Sequence, residues 1–164
     1  MKSIRWVVVL ALVAAPVSAQ QPVEGVEVHE HQPLLLPADF REPTLDIALY
    51  RDDSNGFNLQ VVVSNYQLES PQAAGDAPAG VAEGHAHLMI NGRKRIRIYG
   101  EWMHLDESLF KPGINQLTVT LNSHEHYSWV IGRQPILATV FVDPQKTPPV
   151  QHVFASHPGS GNAD

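Results

Sequence analysis

Asn91-Gly92 divides two runs of strand-forming residues, 85–90 and 93–99. An Asn-Gly pair accepts the positive φ angles of a two-residue type I′ turn, so this stretch is committed to a β-hairpin. The same punctuation recurs on both sides. Residues 44–50 set Leu45, Ile47 and Leu49 on one face, and a β-branched run over 57–65 follows the turn Asp52-Asp53-Ser54-Asn55-Gly56. Beyond Lys111-Pro112-Gly113, residues 114–123 alternate through Leu117, Val119 and Leu121, and a last strand covers 135–142. Residues 71–84 are rich in Ala, Gly and Pro and read as a loop, and 105–110 hold a helical turn at most. No stretch carries the 3.6-residue periodicity of a long amphipathic helix. Six to seven short strands separated by turns predict an all-β fold, an immunoglobulin-like or cupredoxin-like β-sandwich of about seven strands. In that frame 44–50 and 57–65 are strands A and B. Strands C (85–90), C′ (93–99), F (114–123) and G (135–142) share one sheet.

The flanks set the address. Lys2 and Arg5 precede an apolar run of residues 6–15, and Val17-Ser18-Ala19 is a small-residue cleavage pattern. Together they predict a signal peptide over 1–19 and a periplasmic or secreted protein. The apolar run is too short to cross a bilayer of about 30 Å as a helix. Residues 20–43 then form an extended lead-in, 44–143 the sandwich domain, and the Pro/Gly-rich 144–164 a disordered tail. Removal of the signal leaves nine basic residues against seventeen acidic ones, a charge of about −8. That balance argues against nucleic acid or an anionic membrane surface as a partner. The chain has no Cys, which excludes disulfides, thiolate metal sites and a blue-copper centre of the usual kind.

Nine histidines are many for 164 residues, and six of them form three H-x-H pairs: His29/His31, His85/His87 and His124/His126. Residues two apart on a strand share a face, so His85, His87 and Met89 project together and can grip one metal ion. In the sandwich frame the start of C lies beside the end of F, which brings His124 and His126 to the same rim. The C–C′ hairpin returns the chain to that end and delivers Trp102-Met103-His104. The metal ligands expected are therefore His85, His87, His104 and His126, with His124 weaker as a loop residue. His29, His31, His152 and His157 lie in the flanks and stay outside the site. Met89 and Met103 read first as core fillers, and Trp102 and Trp129 as anchors at the sandwich edge. The face that carries His85 and His87 depends on register. A two-residue turn pairs them with Ile96 and Ile98, whereas a three-residue loop pairs them with Arg95 and Arg97. One residue of slip moves every side chain to the other face.

The stretch Gly84-His85-Ala86-His87-Leu88-Met89-Ile90-Asn91-Gly92, with Arg97-Ile98-Tyr99-Gly100, Trp102-Met103-His104-Leu105 and Leu121-Asn122-Ser123-His124-Glu125-His126, resembles a group of poorly characterised bacterial exported β-sandwich domains. Their pattern runs G-H-A-H-L-Y-V-N-G, R-L-Y-G, an aromatic-His-Leu and an L-N-x-x-D-H-like turn. Met89, Met103 and Glu125 depart from it. The resemblance spans about residues 44–143 and implies a shared sandwich with His85, His87, His104 and His126 as its positions of interest.

Imidazoles suit copper and zinc, and the affinity order favours copper, with zinc the lesser fit. No Asp or Glu sits within a strand position of the His85/His87 pair, which disfavours calcium and magnesium. Three readings follow. The first is an exported metal-binding protein that handles copper through its histidine cluster. The second is a structural or interaction module of the cell envelope, with another envelope protein as partner. The third is a copper-dependent redox enzyme resembling copper–zinc superoxide dismutase, which also uses an H-x-H on a β-sandwich. That enzyme's disulfide and zinc-site carboxylate pattern are missing from the sequence. No catalytic constellation of Ser, His and Asp, no phosphate loop and no paired catalytic carboxylates stand out.

Overall fold

Alternation along the strands builds two sheets that close over one core. The computed structural model describes residues 32–159. The smaller sheet has the order β2-β3-β7, from β2 (Thr44–Arg51), β3 (Phe57–Ser64) and β7 (Trp102–Leu105). The larger has nine strands. At its centre β5 (Ala82–Ile90) lies between β6 (Arg93–Ile98) and β8 (Asn115–Asn122), and β11 (Leu137–Val142) and β12 (Val150–Ala155) continue beyond β8. Four short strands complete it. Of these, β4 (Tyr66–Leu68) runs parallel to the start of β5, and β1 (Pro33–Leu35) runs parallel to β9 (Ser128–Ile131), which also pairs with the end of β8 and with β10 (Gln134–Pro135). Leu45, Ile47, Leu49, Phe57, Leu59 and Val61 of the small sheet meet Ala86, Leu88, Ile90, Leu117, Val119, Leu121, Ala138 and Val140 of the large one. The all-β sandwich expected from the sequence is present, with C, C′, F and G together in the large sheet as β5, β6, β8 and β11. Among the described residues no helix is long and apolar enough to cross a membrane.

The hairpin combines the two registers left open by the sequence. Asn91 and Gly92 take φ angles of 52° and 76°, and Ile90 pairs with Arg93 across the two-residue turn. The register then shifts between Leu88 and Met89, leaving Arg95 as an extra residue, so that His87 pairs with Arg97 and Leu88 with Ile96. The bulge has a packing cause. It keeps Ile96 and Ile98 on the face of Leu88 and Ala86, where burial of a large aliphatic side chain contributes roughly 1.5–3 kcal/mol. Of the two open registers, the histidines' pairing with Ile96 and Ile98 and the pairing with Arg95 are both absent, and His87 pairs with Arg97.

The tail carries more structure than its composition announces. Within the tail expected to be disordered, β12 pairs with β11 from Ala138↔Ala155 to Val142↔Val150. The residues after it cross to the small sheet, where Leu45 N donates to His157 O (2.8 Å) and Gly159 N to Asp46 Oδ2 (2.6 Å). Alternation in 150–155 is weak because four of its six side chains are exposed, and the backbone ladder supplies the order instead. The expected signal peptide, half of the lead-in (20–31) and residues 160–164 lie outside the described residues.

Candidate metal centre

His85 and His87 stand on the face of β5 turned away from the small sheet, opposite Asn122 and Thr120 of β8. Such a face is ordinarily wet, yet His85 is 0 % and His87 1 % exposed. The turn between β8 and β9 folds back over them. It is tied by Ser123 N to Tyr127 O (2.9 Å) and His126 N to Ser123 O (3.0 Å). His126 adopts a left-handed φ of 72°, an uncommon conformation for a non-glycine residue. The turn brings its ring to 4.8 Å from that of His85 and 5.3 Å from that of His87, centroid to centroid.

The three rings converge through their nitrogens. His85 Nε2 lies 2.9 Å from His87 Nε2, and His126 Nδ1 lies 3.3 Å from the same atom. One ligand nitrogen from each residue falls within 4.8 Å of the other two, an arrangement able to hold a metal ion. An imidazole nitrogen offers one lone pair or one proton. His87 Nε2 thus has two ring nitrogens at hydrogen-bond range and a single lone pair or proton to offer them, whereas a shared cation accepts all three lone pairs. The spacing fits that alternative. At a metal–nitrogen distance of about 2.0 Å, two ligand nitrogens lie ~2.8 Å apart at a right angle and ~3.3 Å apart at the tetrahedral angle. Burial pushes the His85 pKa down to about 4, with the neighbouring His126, Arg97, His124 and Lys94 adding to the effect. His85 is therefore neutral at pH 7, the form that ligates metals. Arg97 itself is exposed.

Gly84 makes this placement possible. It has φ 148°, and a Cβ there would sit 2.1 Å from Asn122 O and 2.7 Å from Tyr66 Oη. The buried Tyr66 hydroxyl lies 2.8 Å from Asn122 O and 3.2 Å from His85 O, pinning β5 to β8 just where the histidines begin. In the sequence Gly84 reads as the end of a small-residue loop. The contact that demands glycine comes from Asn122, far along the chain, and leaves no local signal.

His104 does not join the cluster. After β6 the chain does return to the histidine end, where Tyr99 lies 5.8 Å from His85, ring to ring. It then crosses to the small sheet, with Val61 N donating to Glu101 O (2.8 Å). Strand β7 runs away along β3 from Gln60 to Phe57. Leu105 is fully buried and Met103 packs against the core, so His104 between them must face outward. There it is exposed, 3.3 Å from Asn58 Oδ1 through Nδ1. The sandwich frame brought the chain to the correct rim, but the change of sheet carries His104 off it. His124 also leaves the cluster, because alternate residues of the β8–β9 turn point in different directions. His152 is exposed on β12 beside Phe141, and His157 bonds Ser156 Oγ. His29 and His31 lie outside the described residues. Trp129 is buried with its indole N–H directed to Glu83 O, and Trp102 lies exposed against Tyr50.

Comparison with protein-family models, with curated proteins and with solved structures gives no match to the chain. The functional reading therefore rests on the site itself.

Proposed function

We propose that the protein is an exported copper-binding protein whose ion is held by His85, His87 and His126. The observation that carries this reading is the convergence of three ring nitrogens from two separate segments on one buried point. Three imidazoles without a thiolate favour divalent copper over zinc on the usual affinity order. Export rests on Lys2, Arg5, the apolar run and Val17-Ser18-Ala19 at the start of the chain. A ligand set free of Cys suits such a compartment, since it has no thiolate to lose to oxidation. Binding and handling of the ion, rather than redox turnover, agrees with ligands buried under the β8–β9 turn.

Competition titration tests the reading. Copper is expected to bind the histidine site in one equivalent, more tightly than zinc, and to displace zinc added first. Zinc outcompeting copper there would reject the copper assignment. A protein that takes up neither ion at His85, His87 and His126 would return the three rings to a structural role in an envelope module.

A further inference from the structure

We propose that Glu69, Glu83 and His124 form a second site, for a zinc-type divalent cation, next to the histidine cluster. The second H-x-H motif divides between the two places, His126 going to the cluster and His124 to the new site. Glu83 precedes His85 by two residues and continues the same strand face, while His124 shares its turn with His126 but points the other way. Glu69 reaches them from the end of β4, where its N–H donates to Gly84 O (2.8 Å). One carboxylate oxygen from each glutamate and one His124 ring nitrogen all lie within 4.8 Å of one another, and all three residues are half-buried. His85 and His124 are 6.2 Å apart, ring centroid to centroid, so the two groups share a wall.

What singles this group out is the state of its polar atoms. Glu69 Oε1 and both ring nitrogens of His124 are buried, and none has a hydrogen-bond partner among the described residues. A buried acceptor left unpaired loses its water without replacement, and a charged one loses more. The remaining contacts orient the carboxylates rather than satisfy them inward. Gln67 Nε2 donates to Glu69 Oε2 (2.8 Å), leaving Oε1 for the site, and Gly75 N lies 2.9 and 3.0 Å from the two Glu83 oxygens. Two carboxylates held this close repel unless a cation lies between them. Two oxygens and one nitrogen, with a fourth position open, are a donor set that zinc accepts. A cleft of about 390 Å³, lined by Glu83, His124, Gly75 and Trp129 among others, gives the ion a way in.

The test is zinc stoichiometry and affinity on the whole protein, with zinc as the sole added metal. Variants are Glu83→Gln, His124→Asn, His87→Ala and Glu83→Gln/His87→Ala, with circular dichroism to verify folding. Wild type is expected to bind two equivalents, each of the single variants one, and the double variant none. The site lost in Glu83→Gln should be weakened at least about 100-fold and should equally be lost in His124→Asn. One equivalent in wild type, kept in His87→Ala and lost in Glu83→Gln, would uphold this site while rejecting zinc binding at the histidine cluster. Unchanged zinc binding in folded Glu83→Gln or His124→Asn would overturn the proposal.

Discussion

Replacing His87 with alanine is expected to lower copper affinity by at least about 100-fold, because removing a direct ligand should cost no less than disturbing a residue behind one. His87 is the sharpest choice within the cluster, since both neighbouring ring nitrogens approach its Nε2. His104→Ala is the matched control. It removes an exposed histidine on the other sheet and should leave copper affinity unchanged. Isothermal titration of both variants with copper separates the outcomes. Equal losses in the two would mean that binding reflects histidine content rather than the cluster.

The second large effect is on stability. Gly84→Ala is expected to destabilise the fold by more than about 3 kcal/mol, with part of the population unfolded at 37 °C. The added methyl would lie 2.1 Å from a backbone oxygen on the neighbouring strand, which cannot rotate away as a side chain can. The backbone is also in a conformation that L side chains rarely adopt. Gly92→Ala is the comparison: φ is 76° there, but nothing lies within 4 Å of the new Cβ. It should cost only the left-handed backbone penalty, about 1–2 kcal/mol. Chemical denaturation of the two variants reads the difference. Similar midpoints would show that β5 can shift away from β8 and that Gly84 is not what fixes the position of His85.

The strands were legible because their alternation is local. Leu45, Ile47 and Leu49, or Leu117, Val119 and Leu121, declare an inward face without reference to anything distant. The pairing of C with F was legible as well, and it brought His126 to His85 and His87. What failed was information held between elements. The choice of sheet for β7 is settled by burial of Leu105 in the common core, and four residues of sequence do not announce it. Nor does the hairpin reveal its bulge at Arg95, which exists so that Ile96 and Ile98 keep facing inward beyond an ideal two-residue turn. The tail strand leaves no pattern in the sequence because its side chains are largely exposed, so order there comes from backbone pairing with β11. Glu83 is hidden for a simpler reason. It sits one alternate position beyond the H-x-H pair, at the end of a segment rich in Ala, Gly and Pro that reads as loop.

The most direct test of the copper site is a crystal structure of the copper-loaded protein with anomalous data collected at the copper absorption edge. One anomalous peak is predicted between His85 Nε2, His87 Nε2 and His126 Nδ1, about 2.0–2.1 Å from each. A peak at His104, at the surface histidines of β12 or nowhere in the sandwich would contradict the account.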